Sequence, residues 1–293
     1  MFIEPYKSLK KMFDDEKEAL LYLINNDYVN KYINCDKCDH KTKLNLNKKL
    51  YVCKYYKCRK ALSPLKGTIF NNLTLPLNIQ LHILYLFLGK APSSFIASSL
   101  QISKNTVSSY NKIFRKYIKN KQLLGNKNIK IGGRNKIVEI DESKIAKRKY
   151  NKGHKVEGAW VIGGIERSIL KNKIKNENKK MFLLPIAERN IDNIDLIIKR
   201  YVKKGTTIYT DLWKGYNNLK NIGYKHMTVN HSKNFKDPVT GVHTNTIEGT
   251  WNGLKQSIIP RNRNKKDIAL YLKEYQWRKK NREYDIWRKF LKD

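Results

Sequence analysis

The chain is organised around the sequence Val242-His-Thr-Asn-Thr-Ile-Glu-Gly-Thr-Trp-Asn-Gly-Leu-Lys255. The short polar side chain of Thr244 or Asn245 can cap a helix by accepting from the free amides of its first turn. Glu248 and Trp251 then follow at i and i+3, so they share one face of that helix. An acid beside a tryptophan on an inward face is costly unless it has a function such as holding a metal ion. A solvated glutamate on an amphipathic helix is the alternative.

Two acids upstream favour the metal interpretation. Asp141 ends the apolar run at residues 137–140, and Asp211 ends another at residues 206–210. Two acids at strand ends and a third on a later helix can hold catalytic metal. Two divalent ions roughly 4 Å apart grip the attacking and leaving oxygens in phosphodiester cleavage. Mg²⁺, or Mn²⁺ in its place, prefers such hard oxygen ligands, so Asp141, Asp211 and Glu248 are the predicted catalytic, metal-binding residues.

The ligand on the first of these strands is ambiguous from spacing alone. Glu139 shares a face with Asp141 under the period-two alternation of a strand, and Glu142 is adjacent in sequence. Any of the three can be the ligand. Two residues near the start of the later helix, His243 and Asn245, lie close enough in sequence to its glutamate to support it by hydrogen bonding.

Composition indicates a globular protein with a polyanionic partner. The chain has 293 residues, of which 40% are hydrophobic, and a formal net charge of +36 from 61 basic and 25 acidic residues. Such a body repels itself unless it meets a polyanion, and DNA is the usual one. A mutational bias toward lysine and asparagine is the alternative source of part of the surplus.

Targeting signals are not evident in the sequence. Residues 1–10 lack the apolar core of a signal peptide, and the most apolar run, residues 81–88, is far shorter than the roughly 20 residues that span a membrane. We therefore expect a protein that is neither secreted nor membrane-bound. It would act in the nucleus of a eukaryote, or in the cytoplasm or nucleoid of a prokaryote.

All four cysteines lie close together near the N-terminus, after a stretch at residues 1–30 that predicts one helix and its lead-in, with Asp14 or Asp15 able to cap the helix. The cysteines form two pairs separated by 14 residues: Cys35, Cys38, Cys53 and Cys58. Four thiolates can close a tetrahedral Zn²⁺ site, and residues 41–51 between the pairs suit a β-hairpin. The pattern predicts a zinc ribbon whose zinc is structural, because protein fills every ligand position. Free or redox-active thiols are the alternative.

The next segment predicts helices that can bind DNA. Helices are expected at residues 77–88, 93–100 and 104–119, with Ser103 capping the last. A helix, a short turn and a second polar helix are typical of a helix-turn-helix, with an ordinary helical hairpin as the alternative. The second helix would offer its first turns to the major groove. The predicted DNA-binding residues are Lys104, Asn105 and Ser108, with Lys255 of the acidic centre facing a DNA phosphate.

The second half of the chain alternates strands and helices after a glycine-rich linker at residues 120–136. Strands are expected at 137–141, 156–165, 181–186, 206–210 and 226–229, and helices at 191–203, 213–221 and 244–258. This order predicts an α/β fold with an RNase H-like mixed-sheet catalytic domain. The predicted domains are residues 1–75 (N-terminal helix and zinc ribbon), 76–130 (helix-turn-helix-type domain and linker) and 131–293 (catalytic domain).

Five ordered motifs, with Gly67-Thr-Ile-Phe70 after the zinc ribbon, resemble the Merlin superfamily of DNA transposases and its bacterial insertion-sequence relatives. The motifs are Val138-Glu-Ile-Asp-Glu-Ser143, Lys155-Val-Glu-Gly-Ala-Trp-Val-Ile-Gly-Gly-Ile165, Thr210-Asp-Leu-Trp-Lys-Gly-Tyr216, Val229-Asn-His-Ser232 and His243-Thr-Asn-Thr-Ile-Glu-Gly-Thr-Trp251. The resemblance covers nearly the whole chain. It selects Asp141 on the first strand by analogy, and it implies a DDE transposase.

A chain of this family would bind terminal inverted repeats, cleave strands at transposon ends and join the 3′-hydroxyl to target DNA. Pairing two ends implies a homodimer or a larger assembly on double-stranded DNA. Two other functions fit the same sequence: a transposase-derived, non-catalytic DNA-binding regulator, and an RNase H-like nuclease without strand transfer. The first would use residues 1–120 alone, and the second would cut DNA without joining the product to a second duplex.

Overall fold

A computed structural model describes residues 2–125, 130–146, 158–167, 180–230 and 236–293. The chain divides into two compact units, Met1–Tyr117 with Asn281–Asp293, and Ile118–Lys280. Three predicted features extend beyond the described residues: the linker at 126–129, one strand at 156–157 and one motif at 231–232. Within the described part, no helix is long and apolar enough to cross a membrane.

The N-terminal segment forms two helices, α1 (Tyr6–Asp14) and α2 (Glu16–Asn25). Helix α2 is the predicted helix and has Asp15 as its cap, whereas α1 lies in the expected lead-in and was not predicted. The break is at Asp15, whose backbone is extended and whose carboxylate accepts from the amides of Lys17 and Glu18. An aspartate that caps the next helix in this way ends the previous one, because its own backbone leaves the helical region.

Four short strands follow and form one antiparallel sheet in chain order. They are β1 (Tyr32–Asn34), β2 (Lys41–Asn45), β3 (Leu50–Val52) and β4 (Ala61–Leu62). The pairing of β2 with β3 confirms the hairpin that was predicted between the cysteine pairs.

Three helices complete the first part of the chain: α3 (Leu77–Leu88), α4 (Ser93–Ser99) and α5 (Lys104–Gly125). The hydroxyl of Ser103 accepts from the Thr106 amide, which confirms the predicted cap of α5. Helix α5 is longer than expected and occupies the first part of the predicted linker. Its extension is stabilised by a tertiary contact, since the Gln122 amide donates to the carbonyl of Lys273.

The second unit is built on a five-stranded mixed sheet in the order β7-β6-β5-β8-β9. Strand β5 pairs antiparallel with β6 and parallel with β8; β6–β7 is antiparallel and β8–β9 parallel. The strands are β5 (Ile137–Ile145), β6 (Ala159–Arg167), β7 (Met181–Ile186), β8 (Thr207–Thr210) and β9 (Lys225–Thr228). All five predicted strands of the described chain are therefore confirmed, and they form a mixed α/β fold.

Helices cover both faces of this sheet. Alternate residues of β5 point to opposite sides, so Val138 and Ile140 pack with α6 (Ile191–Tyr201), whereas Ile145 packs on the other side. That second side is covered by α7 (Asn245–Ser257) and α8 (Ile268–Lys280). The side chains of Glu139 and Asp141 alternate with Val138 and Ile140, so they face α7.

The helix expected at residues 213–221 is only a short 3₁₀-helix, Lys214–Leu219. Two local contacts tighten this turn: the Asp211 carboxylate accepts from the Trp213 amide, and the Trp213 ring lies over Gly215. A Cβ at Gly215 would come within 2.0 Å of that ring. The last helix, α9 (Ile286–Lys292), belongs to the first unit, where its Trp287 packs against Phe13.

Candidate active site

The register of two parallel strands brings Asp141 level with Asp211. Strand β5 pairs with β8 through Ile137 with Thr207 and Glu139 with Tyr209. Continuing the same offset sets Asp141 opposite Asp211, which is the first residue after β8. Neighbouring strands lie about 4.8 Å apart. The two acids are 70 positions apart in sequence but become neighbours toward the carboxyl ends of these two adjacent strands.

Both acids line one cavity of about 390 Å³. Its wall also carries the acid Glu142, the aromatic ring of Trp160 and several cationic side chains. The cations are Lys144, Arg189, Lys255 and Arg263. Acids in the interior of a basic protein, with lysine and arginine around them, can hold metal ions and face a polyanion at the same time.

Helix α7 docks on the sheet beside Asp141 through Ile247, Trp251 and Leu254, which are buried at helical spacing. The Trp251 indole lies over Gly163, where a Cβ would come within 2.7 Å of the ring. Gly163 is the cross-strand partner of Asp141. This close approach lets the indole Nε1 of Trp251 donate a 2.9 Å hydrogen bond to Oδ2 of Asp141.

Glu139 caps α7 from the neighbouring strand. Its Oε2 accepts from the amides of Thr246, at 2.8 Å, and Ile247, at 3.0 Å, and Oε1 accepts from the Thr246 hydroxyl. Thr244 occupies the N-cap position of α7 as predicted, but its hydroxyl donates to Glu248 and does not accept from the first amides of the helix. A carboxylate at the positive end of a helix is stabilising, and here it is fully buried.

Asp141 is a buried acid with two other acids nearby, and both features raise its pKa. Burial raises the pKa of Asp141 to about 6, and the charges of Asp211 and Glu248 add to this effect. Hydrogen bonds from the Glu142 amide and the Trp251 indole oppose it. The folded chain therefore holds its Asp141 carboxylate at a cost that a nearby cation would reduce.

Glu142 lies on the same cavity and has a different partner. Its side chain is fully buried, and its Oε2 lies 3.4 Å from a terminal nitrogen of Arg189. Burial, only partly offset by the Arg189 charge, raises the pKa of Glu142 to about 7. Hydrogen bonding with the buried Tyr216 hydroxyl also lowers this pKa.

Glu248 lies in the first turn of α7, and its Oε1 accepts from the Thr244 hydroxyl at 2.8 Å. His243 lies nearer to Glu139, with 3.7 Å between its Nδ1 and Oε1 of that acid. Burial and the charge of Arg167 lower the pKa of His243, which favours a neutral ring. Asn245 is exposed at the first position of α7, and its amide donates to the His243 ring.

The four cysteines converge as predicted. Their sulfur atoms all lie within 4.8 Å of one another, with 3.7 Å between Cys35 and Cys58 and 3.4 Å between Cys38 and Cys53. A tetrahedral Zn²⁺ with thiolate ligands at about 2.3 Å requires sulfur separations of about 3.8 Å. The arrangement therefore fits a structural zinc ion.

The acids are more widely spread than the cysteines. In the described part of the chain, the cysteines are the one group of three or more potential ligands that meet within 4.8 Å. Asp141, Asp211 and Glu248 do not meet that closely. The charges of Asp211 and Glu248 nevertheless act on Asp141.

The predicted DNA-binding residues fall in two places. Lys104, Asn105 and Ser108 are exposed in the first turns of α5, which follows α4 after a short turn. Lys255 lines the acidic cavity of the second unit. We missed Arg189, Lys144 and Arg263 as residues of this cavity, because no motif or spacing in the sequence marks them.

Two comparisons identify relatives of the chain. Residues 131–280, about half of the chain, match the model of the ISXO2-like transposase domain. An uncharacterized transposase-like protein of Haemophilus influenzae is 34% identical over 92 residues, which cover 30% of this chain and 70% of that protein.

Two solved structures show a weaker likeness. The pre-cleavage Mos1 transpososome is 11% identical with a TM-score of 0.24, over 72% of this chain and 77% of the other. The Mos1 strand transfer complex is 12% identical with a TM-score of 0.22, over 73% of this chain and 76% of the other. TM-scores this low do not establish a shared fold.

Proposed function

This chain belongs to the ISXO2-like transposase domain family, and from that premise we propose that it is a DNA transposase of the DDE type. It binds terminal inverted repeats, cleaves strands at the transposon ends and joins the resulting 3′-hydroxyl to target DNA. Within the transposases we assign it to the Merlin superfamily, on the ordered motifs of the sequence. Its partners are double-stranded DNA and a second copy of the chain.

The observation that carries the proposal is the register of β5 with β8, whose offset sets Asp141 level with Asp211, and the cavity that both acids line. Two acids level with each other in one cavity, with the charge of Glu248 acting on the first, form a set of hard oxygen donors suited to Mg²⁺ or Mn²⁺. We assign Asp141, Asp211 and Glu248 as its catalytic, metal-binding residues. Glu139 is not assigned, since both of its oxygens already accept from α7.

The order of the sheet supports an RNase H-like catalytic domain. Three antiparallel strands are followed by two parallel strands on the far side of β5, with acids on the first and after the fourth, and a third acid on α7. We assign residues 131–293 to this domain, 1–75 to the N-terminal helices and zinc ribbon, and 76–130 to the helix-turn-helix-type domain and linker.

Groups of the chain itself position the acids and attract the substrate. The Trp251 indole fixes one oxygen of Asp141, and the Trp213 amide fixes one oxygen of Asp211. Lys255 lines the same cavity and faces the phosphates of a bound strand. When a pair of divalent ions is bound, it activates the attacking water or hydroxyl and relieves charge on the leaving oxygen.

End recognition belongs to the first unit in this proposal. Lys104, Asn105 and Ser108 are exposed on α5 and would meet bases and phosphates of the major groove. The zinc ion of the four cysteines is structural. His243 and Asn245 support the start of α7, where His243 lies 3.7 Å from Glu139.

The test is cleavage and joining with the full chain, its zinc in place. The substrate is a duplex that ends in the element's own inverted repeat, with Mg²⁺ and a supercoiled target plasmid. We expect strand cleavage at the end and a product joined to the plasmid. Asp211→Asn should bind the end as wild type does and neither cut nor join it, whereas Asp192→Asn, an exposed acid of α6, should retain both activities.

Each other outcome contradicts a specific part of the proposal. Cleavage without a joined product would indicate a nuclease. Binding of ends without cleavage by the wild-type chain would indicate a DNA-binding regulator. An Asp211→Asn protein that cuts as fast as wild type would remove the assigned role of this acid.

A further inference from the structure

We propose that Arg189 is a phosphate-binding residue of the acidic cavity, which takes a backbone phosphodiester of the DNA strand beside Asp141 and Asp211. This inference rests on the proposed function, and it names a contact that none of the sequence motifs contains. Arg189 lies after β7, outside all five motifs, and reaches the cavity only through the fold.

The guanidinium of Arg189 is held between two aromatic rings. Its Cζ lies 3.9 Å from the ring centroid of Trp213 and 5.3 Å from that of Trp160. Stacking on indole fixes the plane of a guanidinium and leaves its edge available for hydrogen bonding. Trp213 also donates its amide to Asp211, so the surface that orients Arg189 is tied to one of the assigned acids.

The protein uses little of the hydrogen-bonding capacity of Arg189. An arginine has five N–H donors, and the hydrogen bond described for this one goes to Glu142, at a long 3.4 Å. Charge-assisted pairs are usually 2.7–2.9 Å long. The Nε of Arg189 is buried and has no hydrogen-bond partner among the described residues. Glu142 therefore orients the guanidinium without satisfying it.

The position of Arg189 suits a phosphodiester. Its side chain is 30% exposed and lines the cavity that Asp141 and Asp211 also line. Lys144, Lys255 and Arg263 line it too. DNA brought against these acids is repelled by them unless cations hold its phosphates, and a planar guanidinium can grip two phosphate oxygens at once. A purely structural ion pair with Glu142 would instead be expected at closer range.

The experiment uses the full chain with its zinc and a short duplex of arbitrary sequence. The first readout is the salt dependence of binding with no added Mg²⁺. Each phosphate contact contributes about 0.9 to the slope of log K against log salt. We expect the slope of Arg189→Gln to be smaller by about 0.9 than that of wild type. Arg200→Gln is the matched control, because Arg200 also lies over an aromatic ring, that of Tyr201, but is exposed on α6 and does not line the cavity.

The second readout is cleavage of end DNA at saturating concentration with Mg²⁺. Arg189→Lys keeps the charge but loses stacking and bidentate binding. We expect it to retain the salt slope and to cleave about 100-fold more slowly than wild type, because a strand misplaced by about 1 Å in an active site loses roughly that factor in rate. If Arg189 had only a structural role, its substitution would lower the melting temperature and leave the salt slope and the cleavage rate of the folded protein unchanged.

Two results would overturn the inference: a folded Arg189→Gln protein with the wild-type slope, or Arg189→Lys cleaving at the wild-type rate. If Arg189→Gln fails to fold, the rate of Arg189→Lys decides. A wild-type chain that cuts no DNA contradicts the proposed function, whereas the slope difference still decides whether Arg189 contacts a phosphate. The two failures are thus distinguishable.

Discussion

The indole Nε1 of Trp251 donates a 2.9 Å hydrogen bond to Oδ2 of Asp141. This bond joins α7 to β5, and Glu139 joins the same two elements again by accepting from the first amides of α7. The helix that carries Glu248 is therefore fixed to the strand that carries Asp141 at two points, one on each side of the glutamate along the helix.

Replacing Trp251 by phenylalanine keeps most of the packing and removes the donor. The free energy of unfolding should fall by about 1–3 kcal/mol, because an oxygen of a mostly buried acid loses its partner. The Trp251 bond also lowers the pKa of Asp141, so that pKa should rise further in Trp251→Phe. Urea denaturation and NMR titration of the carboxyl measure the two effects. An unchanged Asp141 pKa would show that the bond does not form in solution.

Gly163 makes the approach of Trp251 to the sheet possible. A Cβ there would come within 2.7 Å of both the Trp251 ring and the Leu183 side chain. We expect Gly163→Ala to destabilise the chain by about 1–3 kcal/mol through overpacking. Gly249→Ala on α7 is the control: a Cβ there meets nothing within 4 Å, and alanine raises helix propensity by up to about 1 kcal/mol. Equal stabilities of the two variants would contradict the described packing of α7.

The raised pKa of Asp141 makes stability depend on pH. The ordinary value is 3.8, and in the folded chain it is about 6. Between these values the folded chain holds a proton that the unfolded chain has released, so the free energy of unfolding falls as pH rises. The stability difference between wild type and Asp141→Asn should shift by roughly 2 kcal/mol between pH 4 and pH 7. Added Mg²⁺ should restore part of the stability that the wild-type protein has lost at pH 7.

Urea unfolding across this pH range measures the difference, and Asp192→Asn serves as a control for removing an exposed acid. A stability difference that stays constant with pH, or that shifts equally for both variants, would mean that Asp141 titrates near its ordinary value.

The cysteine cluster predicts one Zn²⁺ per chain. Cys53→Ser should lose the metal and destabilise the sheet of β1 to β4, since zinc-binding energy is folding energy in a small site. His40→Ala should retain the zinc, because the His40 ring stacks on Tyr55 at 4.3 Å and its Nδ1 contacts the Cys38 carbonyl. Metal analysis of the purified variants decides; zinc-free wild-type protein that folds normally would refute the assignment.

Local patterns explain which parts of the fold were predictable. The strands beside Asp141 and Asp211 were expected, because their apolar runs are short and end in an acid. Helix α1 ahead of Asp15 was missed. The 3₁₀-helix after Asp211 was also missed, since it depends on a carboxylate that accepts from a nearby amide rather than on periodicity.

Long-range contacts explain what the sequence does not reveal about the candidate site. Spacing alone left Glu139, Asp141 and Glu142 equally suitable as the metal ligand, and the fold distinguishes them by their contacts. Glu139 accepts from the amides of α7, Asp141 from the Trp251 indole, and Glu142 from Arg189. No neighbour in sequence signals any of these contacts. The role of Gly163 likewise depends on a helix about 90 positions further along the chain.

Binding of Mn²⁺ to the full, zinc-loaded chain is the decisive test of whether Asp141, Asp211 and Glu248 form a metal site. Isothermal titration calorimetry should show ions bound to the wild-type protein that are lost in the triple variant Asp141→Asn, Asp211→Asn, Glu248→Gln, with both proteins equally folded. If the triple variant binds Mn²⁺ with the same stoichiometry and affinity as wild type, the three acids do not form the metal site and the account is wrong.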